Sequence, residues 1–371
     1  MRVAILSNQA NSFVKPMAEG LHRMFSRIGV QSRIFTLGLR MMEQRVWRPG
    51  WRRRTRLFAM KTLLWPYLAS LAPYDVIVVV LNLPNAFLRG NGNIEVLRRL
   101  FPRKVIVNYD LHYLATRPPN WLEWLRHGGA DEFGIPAGGH FGLERYDWYL
   151  LGSVVSEQEL PPGEQPYSLI GVDLADGTLY PEKDRDFLVL VDFERPKHMP
   201  ERAVQIQALE AAGTPYRVLN GRFSIADIRA IYRRTSAYLV AHRESFGLPI
   251  AEIQACGGKI ITPYASWCPS HWLKDDLRQA GEGEHSPNFF VYDNDSDKLV
   301  EALRRLRAED DPQRNLEIFK KYHPQLLHGD TEQLRAFVDR VERGEITSRS
   351  HSGYADIQPV PYAGQKDPRW H

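Results

Sequence analysis

The sequence predicts an α/β protein made of two doubly wound parallel-sheet domains, and three observations carry that expectation. Short β-branched runs alternate with stretches of helical periodicity. The runs are apolar at consecutive rather than alternate positions, the pattern of strands covered on both faces. The alternation then starts afresh after a polar, turn-rich stretch midway along the chain.

In order, VAIL (3–6) is the first strand run, with Asn11 and Ser12 as helix caps behind it. Val14, Met17, Leu21, Met24, Phe25 and Ile28 then fall at helical spacing, and Gly29 supplies the stop. VQSRIF (30–35), DVIVVVLN (75–82), KVIVNY (104–109) and WYLLGSV (148–154) read as the remaining strands of the first domain. Residues 173–186, DLADGTLYPEKDRD, read as a linker. A second series follows: FLVLVDF (187–193), a helix from about Pro200 to Ala212, YRVLNG (216–221), and a helix opened by Ser224 with Asp227 three residues on, a capping-box variant. AYLVAH (237–242), a helix from about Pro249, KIITP (259–263) and NFFVYD (288–293) complete it. The expected division is 1–172 and 187–330, with a closing helix at 331–345 packing back on the first domain and a tail at 346–371. Two such domains enclose a cleft, the usual place for a ligand.

The 371 residues suffice for two domains, and 43% hydrophobic with 25% charged residues is the composition of a globular protein. Basic residues exceed acidic ones by only four, so an anionic partner must be met by local clustering. Two cysteines, Cys256 and Cys268, form no C-x-x-C pair, which points to a reducing compartment and away from zinc. MRVAILSNQ is far short of a signal peptide, and the longest apolar stretch, Leu63 to Leu71, contains Pro66 and Ser70. A cytoplasmic location is the expectation, extended to the inner face of the membrane if the basic segment described below lies on it.

The most informative stretch is ESFGLPIAE (244–252), with two glutamates eight positions apart in an apolar turn. Gly247 permits a tight turn, Pro249 suits the first helical position, and Glu252 then falls in the first turn, where the helix dipole favours a carboxylate. The amides at such a helix start form an anion pocket. Carboxylates beside that pocket suit sugar hydroxyls, and a nucleotide-sugar supplies both a pyrophosphate and hydroxyls.

This constellation resembles the E-x7-E signature of retaining glycosyltransferases of the GT-B fold, family 4 especially. FSIADIRAIYRRTSAYLVAHRESFGLPIAEIQACGGKIITP (223–263) resembles that family's donor-binding core, SLIGVDLADGTLYP (168–181) its interdomain segment, and FFVYDNDSDKLVEALRRL (289–306) the region after the site. The resemblance implies two Rossmann-like domains facing a cleft, a nucleotide-sugar donor as co-substrate, and no metal or other cofactor. It implies that Glu244 contacts the donor hexose and Glu252 the ribose hydroxyls, with the amides of Ser245, Phe246, Gly247 and Leu248 on the phosphates. It also implies a pyrophosphate-binding arginine and lysine after the donor domain's first strand. Arg195 and Lys197 of FERPKHMP stand there, at a tighter spacing than the family's pattern. Asp110 and His112 in VIVNYDLHYL are the candidates for the residue at the reaction centre, opposite the alternative of a structural cap. Retaining chemistry of this kind needs no enzyme nucleophile, because the leaving phosphate takes the acceptor's proton.

DNDSD (293–297) lacks the glycine and terminal glutamate of a calcium loop and precedes a helix, so it reads as an N-cap rather than a metal site. From Arg40 to Lys61 eight basic residues face one acid, Glu43, with Trp47, Trp51 and Arg52, Arg53 and Arg54 at the centre. Three readings stand: a docked helix with a solvated basic face, an element lying on an anionic membrane, or a surface for nucleic acid. The sequence thus reads as a retaining glycosyltransferase acting on a glycan or lipid-linked acceptor, with no obligate protein partner. The alternatives are transfer to nucleic acid at a modified DNA base, a sugar-nucleotide epimerase, and a non-enzymatic anionic-surface binder on the same scaffold.

Overall fold

The computed structural model describes residues 1–8, 14–37, 65–81, 97–98, 100–111, 146–152, 167–194, 199–240, 247–262, 286–292 and 295–348. They fall into two compact units: one takes the described residues up to Val172 and from Gly329 onward, the other those of Asp173–His328. Each is a parallel α/β unit.

Unit 1 is laid down as β1 (Arg2–Asn8), α1 (Val14–Arg27), β2 (Gln31–Leu37), β3 (Val76–Val80), β4 (Val105–Asp110), β5 (Trp148–Leu151) and β6 (Tyr167–Leu169). The six strands form one sheet in the order β2-β1-β3-β4-β5-β6, every pair parallel. Every residue of β3, β4 and β5 is buried, which the unbroken apolar runs of β3 and β5 require, while β4 buries Asn108 and Asp110 as well. β1 pairs with β2 on one side and β3 on the other, so the winding reverses there. Sequence reading had no strand at β6, a three-residue segment whose ends are half-buried.

Unit 2 continues with β7 (Val189–Val191), α2 (Met199–Ala211), β8 (Tyr216–Val218), α3 (Ile225–Arg233), β9 (Ala237–Leu239), α4 (Leu248–Ala255), β10 (Lys259–Thr262), β11 (Phe289–Val291), α5 (Ser296–Ala308) and α6 (Pro312–Tyr322). Its sheet runs β8-β7-β9-β10-β11, again all parallel, and the reversal falls between β7 and β9. Alternation along each strand divides the core into two layers. Val189, Val191, Ala237, Leu239 and Ile261 pack with Ala208 and Leu209 of α2 and Leu299, Leu303 and Leu306 of α5. On the opposite face Leu190, Tyr238 and Ile260 pack with Ile231 and Tyr232 of α3 and Ile250 and Ile253 of α4.

Residues 173–186 are fastened to unit 2. Asp176 Oδ1 accepts from the Thr178 amide and hydroxyl at 2.9 and 2.7 Å. Arg185, whose side chain is 2% exposed, donates to the carbonyls of Thr235, Cys256 and Gly257 and to Asp310. It thereby serves carbonyls past the ends of α3 and α4 that have no intrahelical partner. Gly257 closes α4 at φ +72°, and a Cβ there would stand 2.2 Å from the Pro312 carbonyl oxygen, so only glycine fits. The last helix, α7 (Thr331–Glu342), belongs to unit 1. It packs on α1 and β6, with Leu334, Phe337 and Val338 buried. Arg335 donates to the Ile28 carbonyl at 2.7 Å, and the Arg340 guanidinium lies 4.5 Å over the Trp148 ring.

His323, 5% exposed at the end of α6, has no partner for Nε2 among the described residues, and burial pushes its imidazole down to about 4. Its folded value lies below the unfolded one, so the unfolded chain binds more protons between the two. The neutral ring's contribution is complete above about pH 6.5 and is lost as pH falls towards 4, a total of roughly 3 kcal/mol. Denaturation of wild type and His323→Phe across pH 4 to 7 is expected to show a shallower acid loss for the variant. Parallel curves would remove His323 from the acid response.

Candidate functional site

In an open, doubly wound sheet a ligand binds outside the carboxyl ends of the strands where the winding reverses. In unit 2 that place is set by β7 and β9, and the helices that follow them are α2 and α4.

Beyond β9, Gly247 is the N-cap of α4 in an extended conformation (φ −138°, ψ 148°), and its carbonyl takes the first helical bond from Ile250. The amides ahead of that bond have no intrahelical acceptor. Leu248 is buried and begins the helix, one residue before Pro249. This corrects the sequence expectation for Glu252. The first turn of α4 carries no acid, and Glu252 stands in the second turn, too far in for the helix end to hold its charge. The physical reason is that an extended glycine already completes the cap, so the helix need not wait for the proline.

A guanidinium takes the place of the dipole. Glu252 is 7% exposed, and its Oε1 accepts from Arg229 Nε at 2.9 Å and Nη2 at 2.7 Å. Arg229, on α3 and 3% exposed, turns Nη1 to Asp176 Oδ2 and to Thr178 Oγ1, the latter at 2.7 Å. Burial holds the Glu252 carboxyl above its ordinary value, and Arg229 opposes that rise. Burial presses the guanidinium down, but Glu252 and Asp176 together raise it. The arrangement is that of an ion pair, since a fork of N–H donors on one carboxylate oxygen favours the charged forms of both. No described residue donates to Glu252 Oε2.

Beyond β7, Asp192 Oδ1 accepts from the Phe193 amide at 2.7 Å. Arg202, in the first turn of α2, reaches this strand end and donates Nη2 to the carbonyls of Asp192 and Phe193 at 2.7 and 3.1 Å. It is 4% exposed, and its Nε and Nη1 are buried without a partner among the described residues. Burial pushes the guanidinium down, and Asp192 and Glu194 oppose that. Buried charged donors left unpaired cost free energy and require an explanation, and an anion at the helix start would provide one. Gln205, one turn on, fastens α2 to neighbouring strand ends by donating to the Val240 carbonyl and the Tyr292 hydroxyl, each at 2.9 Å.

Arg202 and Arg229 escaped the sequence reading. The signal for Arg229 was a cation in the buried phase of its helix, between Ile228 and Tyr232. For Arg202 it was a cation in the first turn of a helix, where the dipole repels it unless an anion is near.

In unit 1, Asp110 ends β4, 6% exposed, and its Oδ1 accepts from the Leu111 amide at 2.6 Å. Leu81, just past β3, has φ 56°, a left-handed conformation that costs energy in a leucine. Its amide donates to the Tyr109 carbonyl, and its carbonyl accepts from Asn108 Nδ2 at 2.9 Å. His112, Arg195, Lys197, Glu244, Ser245 and Phe246, and the acceptor-side Trp47, Trp51, Arg52, Arg53 and Arg54, lie outside the described residues. Of DNDSD, Asp295 is the N-cap of α5, its Oδ1 accepting from the amides of Asp297 and Lys298. Among the described residues no helix is long and apolar enough to cross a membrane.

No protein-family model matches the chain, and no curated protein matches it by sequence. Solved structures match it by fold. The co-structure of S. aureus MnaA with UDP aligns at a TM-score of 0.51 and 10% identity, covering 93% of this chain and 96% of that one. The UDP-GlcNAc 2-epimerase of Neisseria meningitidis, bound to UDP-GlcNAc, aligns at 0.50 and 7%, covering 92% and 100%. The calicheamicin glycosyltransferase CalG4 aligns at 0.43 and 16%, covering 92% and 98%. With its two parallel sheets, each doubly wound, the chain has the two-Rossmann-domain α/β fold of the GT-B class.

Proposed function

We propose that the protein is a retaining, metal-independent glycosyltransferase moving a sugar from a nucleotide-sugar donor to a glycan or lipid-linked acceptor. One observation carries the reading. Early in the two helices that follow β7 and β9 stand a buried cation, Arg202, and a buried carboxylate, Glu252, with two donors of the first and one oxygen of the second unpartnered among the described residues. A nucleotide-sugar carries the complements of both, a pyrophosphate and a ribose diol. In this reading Arg202 faces the phosphates, joined by Arg195 and Lys197, and Glu252 faces the ribose. Glu244 addresses the hexose, with Asp110 or His112 at the reaction centre.

The bond from the sugar's anomeric carbon to the phosphate oxygen breaks, and the acceptor oxygen bonds to that carbon on the same face. The acceptor's proton passes to the departing phosphate. Negative charge grows on the nucleoside diphosphate as it leaves, and fixed desolvated cations stabilise that charge most where it develops. The acceptor, and with it a site at the inner membrane face, belongs to the basic segment around Arg52, Arg53 and Arg54. Transfer to nucleic acid is the variant in which the same arginines meet a polynucleotide.

A second reading, a sugar-nucleotide epimerase, is favoured by the fold match to an epimerase at a TM-score of 0.50. Incubation with UDP-, GDP-, ADP- and CMP-sugars in excess EDTA separates the two. A transferase slowly releases nucleotide from one donor as water substitutes for the acceptor, and retains that activity without divalent metal. An epimerase yields an isomer of the intact nucleotide-sugar. Loss of activity in EDTA, restored by manganese or magnesium, would overturn the metal-independent mechanism, and inertness towards all four donors would overturn both readings.

A further inference from the structure

An arginine and a carboxylate frequently meet fork to fork, two parallel bonds to two carboxylate oxygens. Arg229 and Glu252 do not. Nε and Nη2 converge on Oε1, and Oε2 receives nothing from a described residue. On its other side Nη1 of Arg229 is held by Asp176 and Thr178, which fixes the plane of the guanidinium. Those two residues are in turn locked to each other, with Asp176 Oδ1 accepting from the Thr178 amide and hydroxyl. The helix that carries Arg229 is fixed at its start. Ser224 Oγ accepts from the Asp227 amide at 3.1 Å and donates to Asp227 Oδ2 at 2.6 Å. The result is a buried guanidinium anchored at Nη1 and a carboxylate with one oxygen engaged by it and the other without a donor among the described residues.

We infer that Arg229 is a positioning residue: held by Asp176 and Thr178, it engages one oxygen of Glu252 and aims the other at the cis-diol of a ribonucleotide. This rests on the donor-site reading above and adds a specificity element to it. A carboxylate oxygen with both lone pairs free accepts from two adjacent hydroxyls, whereas a 2′-deoxy sugar offers one fewer donor. Discrimination between the two sugars therefore depends on Oε2 being held in place. A lysine at position 229 keeps the cation, but as a single compact ammonium it cannot set two coplanar donors on one oxygen.

The test is calorimetric binding of UDP, GDP and ADP, each against its 2′-deoxy counterpart, to wild type, Arg229→Gln and Arg229→Lys. Wild type is expected to prefer the ribonucleotide of at least one pair by roughly tenfold or more, the worth of a hydrogen bond to a charged group. Both variants are expected to lose that preference while binding the 2′-deoxy form within about twofold of wild type. A merely structural pair predicts the opposite, an equal fall for both sugars with the preference intact. Arg229→Lys, which keeps a cation between Glu252 and Asp176, serves if Arg229→Gln fails to fold. Wild-type binding without a ribose preference, or a preference that survives in the variants, overturns the inference and leaves the donor-site reading standing. No binding of any of the three by wild type removes that reading, and the inference with it.

Discussion

Glu252→Ala is expected to cost about 3 kcal/mol of folding stability, the lower end of what removing one partner of a buried ion pair costs. The lower end applies because Arg229 keeps Asp176. Glu252 and Arg229 are 7% and 3% exposed, so water cannot replace the lost carboxylate without opening the contact between α3 and α4. Glu252→Gln keeps the shape and one acceptor oxygen, and its cost should be about half as large. The measurement is urea denaturation of both variants, read at constant m value so that a changed unfolded state is not mistaken for lost stability. A loss under about 0.5 kcal/mol for the alanine variant would mean that the pair is not formed in solution. The alanine variant's altered stability also means that its donor affinity has to be read at a temperature where it is fully folded.

Arg202→Met should separate stability from function. Removing this side chain takes away a buried cation with two unpartnered donors, which is favourable, and two bonds to the Asp192 and Phe193 carbonyls, which is not. Replacing a desolvated charge by an apolar side chain of similar length is often neutral or stabilising. The fold is therefore expected to stay within about 1 kcal/mol of wild type. Turnover of the nucleotide-sugar identified by the donor screen should fall by roughly 10²–10³, the usual loss when a fixed group facing developing charge is removed. Affinity for the sugar's free nucleoside diphosphate should fall with it, because the same cation meets the ground-state phosphates. A variant of unchanged turnover, or one that unfolds, would return Arg202 to a structural role at the end of β7.

How much of this was legible in the sequence depends on the range of the interaction concerned. The strands of both units were legible because a buried parallel strand is written in consecutive residues, as in DVIVVVLN and KVIVNY. Ser224 and Asp295 were legible as caps because a cap acts within three residues of itself. β6 was not, since a three-residue strand has no periodicity and owes its pairing to β5. The start of α4 was misplaced by one residue because Pro249 is the stronger local signal, yet an extended Gly247 had already closed the cap.

The sequence by itself determined the architecture: two doubly wound parallel α/β domains, with helices early enough after β7 and β9 to bring charged groups to the strand ends. That is a matter of hydrophobic patterning, which is local and survives without knowledge of what each face will meet. Only the tertiary structure decided the electrostatics of the site. Glu252 is held by Arg229, 23 positions earlier, and Arg229 is held in turn by Asp176, 53 positions earlier still. Arg202 is desolvated by the strand ends it reaches back to, and its free donors exist because no described side chain takes them. Charge partnership and desolvation are properties of space rather than of sequence separation. The chain's pattern could place a carboxylate near a helix start, but only packing fixed which of its oxygens remains open.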